Sequence, residues 1–286
     1  MFLREWPLAV FTVLGQTAAG VFIAAVLPLY LFPGRHGETA TRNTRLLLLI
    51  VVTVVLAAAA AVSFFHLGRP FRAVNALNNI RSSWLSREIL SELVFLAGLG
   101  ILAGLELLGY GEAPAARAVA GVAAAAGILF LFSMIRLYML PTVPAWKGLY
   151  TPLSFVLTAA LTGTLVAAWF KGCLAGGVFR ADPRWLAAAL VFFAAAAAAA
   201  VLYAPGAGLL GWRVTPSLRP PSPAFQPVFF LRIALLGLGG VAVSMSLFFE
   251  KISWAGRFVP VALALAITAE VLGRLLFYSA VGPYSR

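Results

Sequence analysis

Long apolar stretches alternate with short polar segments along the whole chain. Each stretch holds about 20 residues with few charges, the length that a helix needs to cross the ~30 Å hydrocarbon core of a bilayer. The apolar runs are continuous and lack the alternation of membrane β-strands. The pattern predicts an all-α membrane protein, a bundle of eight transmembrane helices at about 7–32, 45–66, 88–109, 118–139, 152–170, 185–205, 229–249 and 257–280.

Eight crossings predict that both termini lie on one side of the membrane, which we call the N side. The N-side loops 67–87, 140–151 and 206–228 are longer and more polar than those on the opposite side. Lys and Arg are evenly divided between the two sides, but discounting the arginines of 67–87 favours an outer N side by the positive-inside rule. The first apolar stretch is too long for a signal peptide, so we expect a helix of the mature protein.

Composition supports a single integral membrane domain over residues 1–286. Hydrophobic residues make up 62% and charged residues only 10%, which excludes a soluble globular protein. The formal net charge of +12 is scattered through short loops. We therefore expect these cations to meet lipid head groups and to set topology, and we expect no nucleic-acid partner.

Cysteine and histidine are too scarce for most metal chemistry. Cys173 is the only cysteine, and the only histidines are His36, in a polar loop, and His66. An iron–sulfur cluster needs several cysteines, and a membrane haem usually needs two axial ligands that face each other. We therefore expect no haem, no iron–sulfur cluster and no metal site in this chain.

Polar residues inside the predicted spans gather toward the N side. A charge within a span is costly and by default indicates a functional site. Glu106 lies near the opposite end of its span, whereas the other polar residues of this kind lie at N-side ends: His66, Glu88, Glu92, Arg136, Tyr138, Arg232, Glu270, Arg274 and Tyr278.

Two of these groups have more than one interpretation. Glu270, Arg274 and Tyr278 follow one another at steps of four residues, so they share a helix face. The simplest interpretation is a buried ion pair that ties span eight to its neighbours, and the alternative is a direct role with ligand or protons. Glu92 is either a structural partner of a nearby arginine or a relay beside Glu88.

The residues around His66 and Glu88 suit a quinone head group. Quinone oxygens need hydrogen-bond partners, and oxidation of a quinol releases two protons, which an imidazole and a partly buried carboxylate can accept. The segment between them supplies arginine and asparagine donors and the aromatic Trp84. A transporter could use similar residues, but transporters typically show inverted repeats and broken helices at the midplane.

Four sequence blocks extend over nearly the whole chain: EWPLAVFTVLGQ, FFHLGRPFRAVNALNN running on to SSWLSREI, RLYMLPTVPAW and AEVLGRLLFY. With these blocks the chain resembles the DmsC family, the membrane-anchor subunits of dimethyl sulfoxide reductase-type complexes. The resemblance implies an eight-helix subunit without haem that binds menaquinol. It also implies two soluble partners, a ferredoxin-like subunit with four iron–sulfur clusters and a molybdopterin catalytic subunit.

The resemblance also carries over site residues. By motif, the family's functional histidine and glutamate correspond to His66 and Glu88, and Arg72 and Asn75 from the same block are assigned to quinol binding. Together with the polar residues found above, the expected quinol-binding set is His66, Arg72, Asn75, Glu88, Arg136, Tyr138 and Arg274.

These observations predict a menaquinol-oxidising anchor of a three-subunit molybdopterin oxidoreductase. It would pass electrons to the iron–sulfur partner, which would dock on the loops 67–87 and 206–228, and it would not act on the terminal substrate. We expect a multi-pass protein of a prokaryotic cytoplasmic membrane, with its termini and quinol site on the outer side. The alternative is a transporter, or a proton-conducting or structural anchor without quinone chemistry.

Overall fold

Eight long helices form the structure, a computed structural model that describes residues 5–32, 38–66, 75, 77–139, 143, 146–174, 181–203, 226–249 and 255–279. Each of the eight contains a stretch long and apolar enough to cross a membrane. Their bounds are α1 Trp6–Leu31, α2 Glu38–Ser63, α3 Trp84–Leu107, α4 Pro114–Tyr138, α5 Tyr150–Leu174, α6 Pro183–Tyr203, α7 Gln226–Phe248 and α8 Phe258–Ser279.

All eight predicted spans are confirmed, and the all-helical class with them. Most boundaries agree within four residues, but α2 begins at Glu38 instead of 45. Hydropathy marks only the part of a helix that lies in hydrocarbon, whereas hydrogen bonding continues the helix into the polar interface. Helix starts have local causes that the sequence carries: α4 and α6 both begin with a proline, which suits the first helical position.

Three short helical segments accompany the long ones. Within α1, the residues Phe22–Val26 form a π-helical turn just before Pro28. Two 3₁₀ turns, Phe64–His66 and Ala255–Arg257, follow α2 and precede α8.

The first and last helices are antiparallel neighbours. Tyr278 donates a hydrogen bond to Thr12 at 3.4 Å, and Arg274 donates one to Gln16 at 3.0 Å, so rising numbers on α1 meet falling numbers on α8. The start of α1 and the end of α8 therefore share one end of the bundle. We call it the N-side end, without reference to which compartment it faces.

Helices α1 and α5 lie at the centre of the bundle. In each of them, 72% of the residues in the apolar stretch are buried. They approach closely at two glycines, because a Cβ at Gly20 would overlap the Ala159 carbonyl and a Cβ at Gly163 would overlap backbone of Gly20. Close contact at small residues is a common way for helices to associate in lipid. Around this centre, α3 pairs with α4 and α7 with α8, while α2 packs on α1 and α6 packs on α5 and α7.

Candidate functional site

The candidate site lies at the N-side end, where α3 begins. Ser83 caps this helix by accepting a hydrogen bond from the backbone N–H of Ser86 at 3.3 Å. Arg87 holds the preceding turn by donating to the carbonyls of Ile80 at 2.9 Å and Arg81 at 2.7 Å. The incoming chain is thus tied to the first turn of the helix that carries Glu88.

Trp84 joins this start to α4. Its ring meets Phe132 edge-on, with centroids 5.6 Å apart. The guanidinium groups of Arg87 and Arg136 lie 4.2 Å and 5.2 Å from the Trp84 ring centroid. Both distances are within the range of a cation–π interaction, so Trp84 contacts one arginine of α3 and one of α4.

Glu88 is buried without an ion-pair partner among the described residues. The residue is only 2% exposed, and its Oε2 atom has no hydrogen-bond partner among the described residues. The carboxyl lies within electrostatic range of the phenols of Tyr138 and Tyr278. A buried carboxylate oxygen that lacks a donor is an acceptor site of the kind that a ligand hydroxyl can fill.

Glu92 follows one turn later on the same helix. It is half-buried, and its Oε1 atom also lacks a hydrogen-bond partner in the described part of the chain. The two carboxyl groups are close enough to interact electrostatically. The N-side end of α3 therefore presents two carboxyl groups without arginine partners from the described residues.

Tyr138 ends α4 inside a cluster of aromatic rings. Its ring centroid lies 5.5 Å from that of Trp146, 5.7 Å from Phe155 and 5.3 Å from Tyr278. Trp146 in turn stacks on Phe277 and donates its indole N–H to the Phe277 carbonyl at 2.9 Å. These contacts fix the ends of α4, α5 and α8 relative to one another.

Arg274 lies directly behind this aromatic cluster, 2% exposed. It donates hydrogen bonds to Gln16 at 3.0 Å, to Ser154 at 3.1 Å and to Thr158 at 3.4 Å. Its guanidinium carbon sits 3.7 Å from the ring centroid of Phe155. The cation is therefore held by neutral oxygens and an aromatic face contributed by α1 and α5.

A second buried arginine makes the predicted ion pair of span eight. Arg232 on α7 pairs with Glu270 at 3.1 Å and donates to the Tyr150 hydroxyl at 2.6 Å. The other oxygen of Glu270 accepts from Thr158 at 2.7 Å. The buried ion pair expected to tie span eight to a neighbour is thus present, formed by Glu270 with Arg232 of α7. Thr158 links this pair to the Arg274 cluster.

The remaining predicted site residues are placed to different degrees. His66 ends the 3₁₀ turn after α2, but its side chain lies outside the described part of the structure. Arg72 also lies outside the described residues, as does much of the two predicted docking loops. Asn75 is exposed, and Arg136 is exposed beside Trp84. Of the predicted residues, Glu88 lies within electrostatic range of Tyr138, and Arg274 packs on Phe155, a neighbour of the Tyr138 ring.

Sequence reasoning missed the neutral members of the polar cluster: Gln16, Ser154, Thr158 and Tyr150. Neutral polar residues are cheap in a span, so hydropathy gives them no weight. One signal could have found them. On α5, Tyr150, Ser154 and Thr158 follow at steps of four residues, the spacing that puts side chains on one helix face.

Comparison with known proteins agrees with this architecture. The profile of the family described as "DMSO reductase anchor subunit (DmsC)" matches residues 1–280. The sequence is 38% identical over 168 residues to the C subunit of the anaerobic dimethyl sulfoxide reductase of Escherichia coli, with 57% of this protein and 56% of that one covered.

Two further relatives are similar to a lesser degree. The YnfH subunit of an anaerobic dimethyl sulfoxide reductase of Escherichia coli is 32% identical, over 58% of this protein and 57% of that one. The C subunit of the Haemophilus influenzae enzyme is also 32% identical, over 56% of each. The matched region thus spans little more than half the length of these relatives.

Proposed function

Because the chain belongs to the DMSO reductase anchor subunit family, DmsC, we propose that it anchors a molybdoenzyme complex and oxidises menaquinol. Its partners in this proposal are an iron–sulfur subunit with four clusters and a molybdopterin catalytic subunit. Electrons from the quinol pass to the iron–sulfur subunit at the N-side end of the bundle. The protein is a multi-pass membrane protein, and we propose that the N side faces outward in a prokaryotic cytoplasmic membrane.

The observation that carries the proposal is the buried Glu88 carboxyl. A buried carboxyl inside a span is costly, and the described residues give Glu88 no arginine partner to offset that cost, so we infer a chemical role for it. It lies where the imidazole-bearing end of α2 and the start of α3 reach the same end of the bundle. In the proposal, a lipid-soluble quinol reaches this end from the membrane interface.

The residues present fit a quinol ring and its hydroxyl groups. The Oε2 atom of Glu88, which has no hydrogen-bond partner among the described residues, suits a hydroxyl donor. In the proposal, Glu88 and His66 accept the two protons as the electrons leave. Tyr138 borders the carboxyl, while Arg72, Asn75 and Arg136 supply donors at the interface. Arg274 supports the site through Phe155, whose ring packs on Tyr138.

The proposal is tested by quinol-dependent reduction of the iron–sulfur clusters in the purified three-subunit complex. In Glu88→Gln we expect the rate to fall at least about 100-fold, the usual scale for loss of a general base. His66→Ala should behave similarly. The matched control is Glu106→Gln, on the same helix at the opposite end, which should reduce the clusters at a near-normal rate.

Normal cluster reduction in both Glu88→Gln and His66→Ala would reject the quinol assignment. Substrate flux by this protein in vesicles without its partners would instead favour the transporter alternative.

A further inference from the structure

We propose that Thr12 and Tyr278 are positioning residues that fix the direction of the Tyr138 hydroxyl proton. In this arrangement Tyr138 offers a ligand only a hydrogen-bond acceptor, which favours quinol over quinone at the site. The inference rests on the proposed function, which places the quinol beside Glu88 and Tyr138. It adds to that function a preference between the two redox forms of the substrate.

The chain of hydroxyl groups begins on α1 with Thr12. This side chain is fully buried, and its Oγ1 atom lies 3.0 Å from the carbonyl oxygen of Leu8 and 3.1 Å from that of Ala9. A carbonyl oxygen carries no proton, so Thr12 is the donor in both contacts. Because a hydroxyl group has one proton, Thr12 can only accept a hydrogen bond from any other partner.

Tyr278 of α8 is that other partner. Its hydroxyl oxygen lies 3.4 Å from Thr12 Oγ1, so the proton of the Tyr278 phenol is directed at Thr12. The phenol has no second proton, and its oxygen can therefore only accept a hydrogen bond from the next group. Both side chains are buried, which keeps competing water away from these bonds.

Tyr138, at the end of α4, is the next group. The ring centroids of Tyr138 and Tyr278 are 5.3 Å apart, and their phenol groups share a hydrogen bond. Because the Tyr278 proton is directed at Thr12, the bond between the two phenols uses the Tyr138 proton. The remaining lone pair of the Tyr138 oxygen is then an acceptor without a donor of its own.

Ring packing holds the Tyr138 oxygen in place. The ring contacts three others at centroid distances of 5.5, 5.7 and 5.9 Å, those of Trp146, Phe155 and Phe277. With the ring held, only the hydroxyl proton is free to turn. Turning it toward a ligand would break the bond to Tyr278, so the chain of hydroxyl groups sets its direction.

The two redox forms of the substrate differ in what they offer this acceptor. A quinol carries O–H donors, whereas the quinone formed from it carries only carbonyl acceptors. Glu88 presents a second acceptor, its Oε2 atom, which lacks a hydrogen-bond partner in the described part of the chain. A quinone carbonyl at either residue would meet lone pairs and leave buried polar atoms unpaired, which is costly. The arrangement therefore favours binding of quinol and release of the oxidised product.

The test measures the dissociation constants of a menaquinol analogue and of the matching quinone in the purified three-subunit complex. The iron–sulfur clusters are kept reduced for the quinol and oxidised for the quinone. In Tyr278→Phe the Tyr138 proton is free to turn toward the ligand, so we expect the preference for quinol to fall about tenfold. Thr12→Val should act in the same direction, because Tyr278 can then donate to Tyr138. Thr12→Ser keeps the hydroxyl group and should keep the normal preference.

Thr162→Val is the matched control. Thr162 is a buried threonine of α5, and its hydroxyl group donates to the carbonyl oxygens of Thr158 at 2.8 Å and Ala159 at 3.4 Å in its own helix. It thus loses the same kind of contact as Thr12→Val without touching the phenols. The preference for quinol should be unchanged in this variant.

The ratio of the two dissociation constants separates positioning from a purely structural role. Structural damage would weaken the binding of both redox forms alike, so an equal loss in Tyr278→Phe and Thr12→Val would overturn the inference. An unchanged ratio in both variants would overturn it too, and so would failure of both to assemble, which would assign the hydroxyl groups to stability.

Failure of this inference and failure of the proposed function give different results. If the ratio is unchanged in Tyr278→Phe while Glu88→Gln loses quinol oxidation, only the positioning role is rejected. If Glu88→Gln and His66→Ala both oxidise quinol normally, the proposed function is rejected, and the preference between redox forms with it.

Discussion

The glutamates at the two ends of α3 differ in whether an arginine pairs with them in the described part of the chain. At the end away from the N side, Glu106 is 1% exposed and pairs with Arg45 at 2.6 Å. Arg45 also reaches Glu112 at 3.6 Å and lies 5.4 Å from the ring centroid of Tyr30. At the N-side end, Glu88 and Glu92 have no arginine partner among the described residues. One helix therefore carries an ion-paired glutamate at one end and, at the other, two carboxyl groups that have no arginine partner among the described residues.

The difference separates structural from chemical use of a buried charge. Removing a carboxylate from water costs several kcal/mol, which a well-placed guanidinium largely offsets. Glu106 and Glu270 follow this rule, and each ties its helix to a neighbour. Glu88 has no such partner among the described residues, and in the proposed function the cost of its burial is tolerated because the group must gain and lose a proton. In the proposed function, quinol oxidation needs a proton-accepting group of this kind.

Arg274 is the converse case, a buried cation without a carboxylate partner within ion-pair distance among the described residues. Gln16, Ser154, Thr158 and the Phe155 ring surround it with neutral acceptors and π-electrons. Its charge is therefore not cancelled by direct contact with a carboxylate in the described part of the chain, and Tyr138 and Tyr278 lie within electrostatic range of both Arg274 and Glu88. In the proposed function this leaves a positive charge packed on Phe155, a ring that itself packs on Tyr138.

The largest effect on stability is expected from removing the buried ion pair between Arg45 and Glu106. Arg45→Met should lower the free energy of unfolding by about 3–5 kcal/mol, because Glu106 then stays buried beside Glu112 without a cation. Thermal unfolding of the purified complex in detergent measures this loss. Quinol-analogue affinity should be almost unchanged, since the site lies at the other end of the helix.

Arg42→Met is the matched control for that experiment. Arg42 is exposed and donates to the backbone carbonyls of Glu106 at 3.1 Å and Leu107 at 3.2 Å, so it touches the same helix end without entering the buried pair. Its loss should change stability little. Equal destabilisation by the two variants would contradict the assignment of the end as a buried ion cluster.

A smaller effect is expected at the start of α3. Ser83→Ala removes the side-chain cap and should reduce stability by about 1 kcal/mol. Because the first turn of this helix carries Glu88, the dissociation constant of a quinol analogue should rise modestly, by less than about tenfold. Ser82→Ala is the control, since Ser82 precedes the cap position and is exposed. A change in analogue affinity as large as that of Glu88→Gln would mean that Ser83 itself contacts the ligand.

Much of the fold follows from sequence because hydrocarbon imposes a simple length rule on apolar helices. The same physics identifies Glu88, Glu106, Glu270 and Arg274, since a charge in an apolar run is conspicuous. Which arginine meets which glutamate could not be predicted. Hydropathy groups Arg45 with the loop charges that set topology. In the structure, however, Arg45 is 2% exposed and forms an ion pair with Glu106.

The sequence also does not predict which helices are neighbours around the centre of the bundle. Gly20 and Gly163 bring α1 against α5, and this arrangement places Gln16 and Ser154 around Arg274. Hydropathy describes each helix alone and carries no information on neighbours. The aromatic cluster around Tyr138 escapes prediction for the same reason, because its members come from three helices and the segment before α5.

The central claim is most directly tested by the affinity of a non-oxidisable quinol analogue for the purified complex. The comparison is between Glu88→Gln and Glu106→Gln, the same substitution at the two ends of α3. The account predicts at least about tenfold weaker binding in Glu88→Gln, or about 1.4 kcal/mol, and binding within about twofold of the unmodified protein in Glu106→Gln. Unchanged affinity in Glu88→Gln, or an equal loss in both variants, would contradict it.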